Sequence, residues 1–191
     1  NELLLAPILM LSSTVEMRDP YTAGHQKRVS MLATAIAEEM GLSGDVVDNI
    51  RMAGAMHDIG KISIPVEILT KPGKMSDIER RLMMMHPESG YEILKDIELP
   101  YPIALIVRQH HERMNGSGYP HGLKGEEILL ESRIVGIADV TEAISSHRPY
   151  RAGLGIEAAL GEIELNRGML YDGVVADVCI QLFRCKGYAF A

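Results

Sequence analysis

Apolar residues recur at steps of three and four along nearly the whole chain, and strand-like alternation is almost absent. An α-helix needs that period to bury one face, so the pattern restricts the chain to an all-α fold. Val29, Leu32, Ala33, Ile36, Ala37 and Met40 form one such stripe, with Gly41 as the stop. Ser43 stands where an N-cap belongs, ahead of Val46, Val47, Ile50 and Ala53 on a segment that runs toward His57. Ser76, with Glu79 three residues on, reads as a capping box for a helix through Arg80 to Met85. Pro87 and Pro102 suit the opening turns of two more, one through Tyr91 and Leu94, the other through Ile103, Ile106 and Val107. Further helices are predicted from Ile134 to about Ser146, from Gly155 to Leu165 and from Val174 to Phe183. The only long irregular stretch, Glu112 to Glu126, holds Pro120 and glycines 116, 118, 122 and 125. A loop that long inside a compact domain is usually functional.

Composition removes several function classes. A chain of 191 residues suits one domain, and 47% hydrophobic with 24% charged residues is the make-up of a folded protein. A net charge of −7 argues against a broadly basic surface, so duplex nucleic acid is not an expected partner. Cys179 and Cys185 form neither a CxxC pair nor a disulfide scaffold, and a reduced, cytoplasmic setting is expected. The longest apolar run, Leu3 to Leu11, contains Pro7 and is too short to span a bilayer, so no membrane insertion is expected. No basic segment precedes it within the sequence, so it is not expected to be a secretory signal. The chain starts at Asn1 rather than Met, as expected of a fragment of a longer protein. Residues 1–18 read as an N-terminal helix, a candidate linker from an upstream regulatory domain, ahead of a domain over 19–191. With Leu3, Leu4, Leu5, Ile8 and Leu11, that helix is more apolar than a free terminus needs. It is expected to pack on the core, on a second protomer in a homodimer, or on the upstream domain.

The chemistry lies in polar residues that continue apolar stripes. Any single histidine is most simply an ordinary surface or satisfied core residue, but the register here is repeated. His57 lies four residues after Ala53, His86 four after Leu82, His110 four after Ile106, His111 four after Val107 and Asp139 four after Val135. Asp58 adjoins His57, and His25 opens the helix that carries Val29. Burying so many unpaired polar groups would cost several kcal/mol each, and a bound cation is the missing partner. Mixed imidazole and carboxylate donors suit iron, manganese, zinc or nickel better than calcium or magnesium. Seven candidate ligands exceed what one site takes, so two metals sharing a carboxylate is the economical arrangement, one that recurs in phosphate-ester hydrolysis.

These residues resemble the HD-GYP subfamily of the HD superfamily of metal-dependent phosphohydrolases. The resemblance runs from Asp19 to Phe183. Its motifs stand here as Asp19-Pro-Tyr-Thr-Ala-Gly-His25-Gln-Lys-Arg28, His57-Asp58-Ile-Gly-Lys61 and His86-Pro87. They continue with His110-His111-Glu112 running to Gly118-Tyr119-Pro120, then Ala138-Asp139-Val140, then His147-Arg148-Pro-Tyr-Arg151. The resemblance implies an HD-type helical bundle with a long Gly-Tyr-Pro loop. It implies a phosphodiesterase that opens cyclic di-GMP to linear pGpG, and in some members on to GMP, by hydroxide activated at two divalent metals, iron or manganese. By analogy His25, His57, Asp58 and Asp139 hold one metal, and His86, His110 and His111 the other, with Asp58 bridging. Lys61 then contacts the scissile phosphate or protonates the leaving oxygen, and Tyr119, Arg148 and Arg151 contact substrate.

His121 and His147 match no ligand position and are expected to face solvent. Three departures stand out. Tyr21 occupies a position where some members carry a third-metal Glu, Asn115 replaces a common Asp, and Thr141-Glu142-Ala143 replaces Phe-Asp-Ala. Competing readings are an HD hydrolase of another cyclic dinucleotide such as cyclic GMP-AMP, one acting on mononucleotides, or a metal-bound signalling adaptor with little turnover, partnered with a GGDEF-type cyclase. The blandest is a structural helical domain that binds no stoichiometric metal.

Overall fold

The computed structural model describes residues 2–19, 24–99, 102–146 and 153–190, with the side chains of the first helix from residue 10 onward. The described residues form α-helices and short 3-10 turns, with two isolated bridges and no strand. In order these are α1 (Glu2–Arg18), α2 (His25–Glu39), α3 (Gly44–Met56), a 3-10 turn at Ile59–Ser63 and α4 (Val66–Leu69). Then come α5 (Asp77–Met83), α6 (His86–Leu94), α7 (Ile103–Gln109), a 3-10 turn at Gly125–Glu127, α8 (Leu130–Ser145), α9 (Ile156–Leu165) and α10 (Gly173–Arg184). None of the described helices is long and apolar enough to cross a membrane.

The caps explain most of the boundaries. Gly41 takes φ 71° and ends α2. Ser76 accepts from the Glu79 N–H at 3.4 Å while the Glu79 carboxylate accepts from the Ser76 N–H at 2.7 Å, which completes the predicted capping box. Ser43 holds the N-cap position of α3, but its side chain makes no capping bond. The core joins the predicted stripes of α2, α3, α7, α8 and α10, with Leu32, Ile36, Ile50, Met56, Ile106, Ile134 and Ile137 essentially inaccessible.

α1 packs on α3 and the following turn. Val15 is buried, the Ser12 hydroxyl donates to the Ala55 carbonyl at 2.8 Å, and Arg18 donates to the Ile62 carbonyl at 2.7 Å. Two close approaches between elements shape the site. A methyl group on Gly60 would stand 1.9 Å from the His86 carbonyl oxygen, and one on Gly136 would stand 2.6 Å from that of His110. Only glycine lets the 3-10 turn meet α6, and α8 meet the end of α7, at those distances.

Candidate metal centre

Five separate elements deliver the seven predicted ligands to one place. His25 is the first residue of α2, and His57 caps the C-terminus of α3 with Asp58 next to it. His86 opens α6, His110 caps α7 with His111 after it, and Asp139 lies within α8. One link in the sequence reading needs correcting. His86 does not continue a stripe from Leu82, because α5 ends at Met83 and Leu82 is exposed. The burial of His86 comes from α6 packing on α7 and on the 3-10 turn that carries Gly60.

The helix ends also orient the rings. A helix C-terminus leaves carbonyls without intrahelical partners. The Nδ1–H of His57, His86 and His110 each meets the carbonyl three residues earlier, that of Gly54 at 2.8 Å, Met83 at 2.8 Å and Val107 at 2.6 Å. His25 turns Nδ1 to the buried Glu142 carboxylate. With Nδ1 engaged, the Nε2 atom of each of these four rings points into the cluster.

There the donors crowd together. Asp58 puts Oδ2 3.9 Å from His25 Nε2 and 3.6 Å from His57 Nε2, and Oδ1 3.3 Å from His86 Nε2. Asp139 puts Oδ1 3.2 Å from His25 Nε2 and 3.8 Å from His57 Nε2, and Oδ2 3.9 Å from His111 Nδ1. His86 and His110 bring their Nε2 atoms to 3.4 Å. Donors about 2.1 Å from a shared cation lie roughly 3–3.5 Å apart; three of these separations, 3.2, 3.3 and 3.4 Å, lie in that range, and the other four, at 3.6–3.9 Å, are slightly longer. Among the described residues three groups are compact enough to hold an ion: His25–His57–Asp58, His57–His110–Asp139 and His86–His110–His111. His57 Nε2 is buried with no hydrogen-bond partner among the described residues, an orphan that a cation would satisfy.

The electrostatics match a site built for positive charge. Burial alone would raise the Asp58 carboxyl, but the Lys61 ammonium, and after it the surrounding imidazoles, hold it well below the usual carboxylate range. Burial pushes His86 down to about 4 and His110 down to about 3, so both stay neutral and able to ligate. Burial works against charge on His25 too, yet hydrogen bonds to Asp139 and Glu142 lift it to about 9. Lys61 lies between Asp58 at 2.7 Å and Asp19 at 3.4 Å, and these carboxylates raise its pKa against the cost of burial. It stands on the 3-10 turn, a separate element from α3.

The cluster opens on a cleft of about 260 Å³ whose walls include Lys61, Met75, Met83, Tyr119 and Ala143. Tyr119 stacks on His111, ring centroids 4.6 Å apart. Its hydroxyl is pushed up, chiefly by burial. His121 is exposed as expected and contacts Glu88 at 3.2 Å. Arg148 and Arg151, with Tyr21 and His147, lie outside the described residues.

Three contributors escaped the sequence reading. Glu142 is almost fully buried and joins His25, Arg28 (Nε at 2.7 Å) and Ser146 (Oγ at 2.7 Å). Arg28 appears in the motif but carried no role. Glu112, also buried, accepts the N–H of His121 at 2.7 Å and of Leu123 at 3.0 Å, which pins the Gly-Tyr-Pro loop beside the cluster.

Fold and site together define an all-α domain organised around a candidate metal centre. A family model described as HD domain matches residues 9–175, and the chain belongs to that family. The resemblance drawn from the motifs therefore holds. The chain is 43% identical over 173 residues to the cyclic di-GMP phosphodiesterase response regulator RpfG of Xanthomonas campestris pv. campestris, covering 90% of this chain and 46% of that protein. It is 41% identical over 184 residues to a cyclic di-GMP phosphodiesterase of Thermotoga maritima, covering 95% of this chain and 50% of that protein. The chain thus spans about half the length of these curated relatives. A solved structure of a cyclic GMP-AMP specific phosphodiesterase of Vibrio cholerae superposes with a TM-score of 0.74 at 21% identity, over 95% of this chain and 49% of that one. That likeness shows the fold, and the expected HD-type helical bundle is the fold observed.

Proposed function

We propose that this chain is the catalytic part of a metal-dependent phosphodiesterase that hydrolyses cyclic dinucleotides, cyclic di-GMP first among them, to the linear dinucleotide. The supporting observation is the pair of imidazole sets joined by Asp58, whose two oxygens face different rings, at the floor of an open cleft. The names of the Xanthomonas and Thermotoga relatives support the same substrate. His25, His57, Asp58 and Asp139 would hold one divalent cation and His86, His110 and His111 a second; the donor set suits iron, manganese, zinc or nickel, and the family resemblance favours iron or manganese. When bound, such a pair supplies Lewis-acid activation of water and neutralises phosphate charge.

The chain's own residues do the rest. Asp58 and Asp139 tie the two halves of the site together. Lys61, held charged by two carboxylates, presents positive charge to a phosphate in the cleft, a better use of a raised pKa than giving up its proton. Tyr119, with Pro120 behind it, walls the cleft for a base or a phosphate, and Arg148 and Arg151 remain the proposed further substrate contacts. Hydrolysis adds water across one P–O bond. The water oxygen joins phosphorus, and the departing ribose oxygen takes up a proton.

Metal analysis of anaerobically purified protein, paired with cyclic di-GMP turnover by the wild type and Asp58→Ala, tests this. The expected result is about two metals per chain and turnover lost in the variant. Metal without cyclic di-GMP turnover would redirect the assay to cyclic GMP-AMP. No metal, even after reconstitution with iron and manganese, would overturn the proposal.

A further inference from the structure

A second cleft adjoins the first. It has a volume of about 360 Å³ and shares Met75, Met83, His111 and Tyr119 with the cleft over the metal centre. Its remaining walls bring Arg80, Met84 and Arg113 together with the backbone of Gly118. The two clefts are thus halves of one trough, with Tyr119 at the divide. Ligand pockets for molecules of drug size run from roughly 300 to 1,000 Å³. The half over the metal centre falls just below that range and the second half stands at its lower end, while the two together lie inside it.

The trough has one positive end that the chemistry of the metal centre does not use. Arg113 is fixed by bonds to the Glu112 carbonyl at 2.9 Å and the His110 carbonyl at 3.3 Å, with its guanidinium over the Tyr171 ring. Arg80 is different. It is exposed on α5, a helix with no buried residue, and no hydrogen bond or ion pair engages its guanidinium among the described residues. Other arginines near the site are neutralised, Arg28 by Glu142, Arg108 by Glu88 and Arg133 by Asp172. Arg80 is therefore a free guanidinium at the rim of a methionine-lined recess, one trough away from the cation site. Its planar donors match a phosphate. The thioethers of Met75, Met83 and Met84 form a polarizable wall that accepts either purine face.

We propose that this second cleft holds the distal nucleotide of a cyclic dinucleotide, with Arg80 on the phosphodiester that is not cut. A cyclic dinucleotide carries two phosphodiesters on opposite sides of one ring, so seating one at the metal centre presents the other along the trough. The inference rests on the phosphodiesterase reading above. It adds that affinity for the dinucleotide depends on a residue remote from the metals, and that this contact does not read the base.

The test compares wild type, Arg80→Ala and Arg80→Lys, each metal-loaded, on cyclic di-GMP, cyclic GMP-AMP and the small diester bis-p-nitrophenyl phosphate, which reaches the metal centre but has no second nucleotide. Expected for Arg80→Ala is a roughly tenfold fall in kcat/KM for the cyclic dinucleotides relative to the small diester. That fall should lie in KM and be equal for the two dinucleotides, with Arg80→Lys recovering part of it. A parallel fall on all three substrates, or none, overturns the inference, and a fall that depends on the base overturns the assignment to phosphate. Calorimetric binding of the same dinucleotides separates this from the parent reading. Wild type that binds without hydrolysing them overturns the phosphodiesterase and leaves Arg80→Ala binding to decide the cleft. Wild type that does neither overturns both.

Discussion

Four of the five imidazoles of the cluster are oriented by their other nitrogen. Three use a helix-end carbonyl, and His25 uses Glu142, which in turn holds Arg28 through Nε and Nη2. Partners of this kind change metal affinity by about 10–100-fold when lost. Glu142→Gln puts a neutral amide against His25 and removes the carboxylate that faces Arg28, so a fall of about that size in cation affinity is expected, read by competition with a chelator. Glu142→Asp keeps the charge and should recover much of the loss. An unchanged affinity in Glu142→Gln would reduce Glu142 to a packing role. The contrast between Asp139 and Glu142 shows what the sequence exposes at this scale. Asp139 was legible because it extends the apolar stripe from Val135. Glu142, three residues on, reads as any helix-face carboxylate, and its meaning comes from His25, 117 residues away in sequence, which only the packing of α2 on α8 brings near.

Among elements, the helices of seven residues or more declare themselves and the shorter pieces do not. Stripe, cap and stop residues locate α2, α3, α8 and α10 to within a few positions, because their stability comes from a repeated apolar face. α4 and the 3-10 turn at Ile59–Ser63 are too short to show a period, and tertiary contacts hold them. That turn is nevertheless what sets Asp58 and Lys61 against α6. Gly60→Ala forces its new methyl into the His86 carbonyl and the Gly90 nitrogen, 1.9 and 2.5 Å away, and both are backbone atoms that cannot swing aside. The expected cost is about 1–3 kcal/mol, seen as a lower urea midpoint. Because the strain separates Asp58 from His86, metal content should fall even where the variant stays folded. A variant with wild-type stability and full metal content would show that the turn and α6 can part without consequence.

For the molecule as a whole, the cluster makes stability depend on pH from both sides. In the metal-free chain His86 and His110 have folded-state values of about 4 and about 3, below the 6.5 of an unfolded histidine. As pH falls through 6.5 the unfolded chain takes up protons that the folded chain refuses, so stability drops until the folded values are reached. His25 acts in the opposite sense. Its folded value of about 9 lies above the unfolded one, so its contribution is complete below pH 6.5 and is lost as pH rises toward 9. Glu142, held near 2, adds stability that disappears between pH 4.5 and 2. The unfolding free energy of the metal-free protein, read from urea titrations, should therefore peak near pH 6.5 and decline on both sides, by on the order of a few kcal/mol between pH 6.5 and 4. His86→Gln removes one of the groups that resist protonation, so it should flatten the acid limb and leave the alkaline limb as it was. A metal-free protein whose midpoint is level from pH 4 to 7 would mean that these imidazoles are hydrated in solution, and that the closed packing of α3, α6 and α7 around them forms only when a cation is bound.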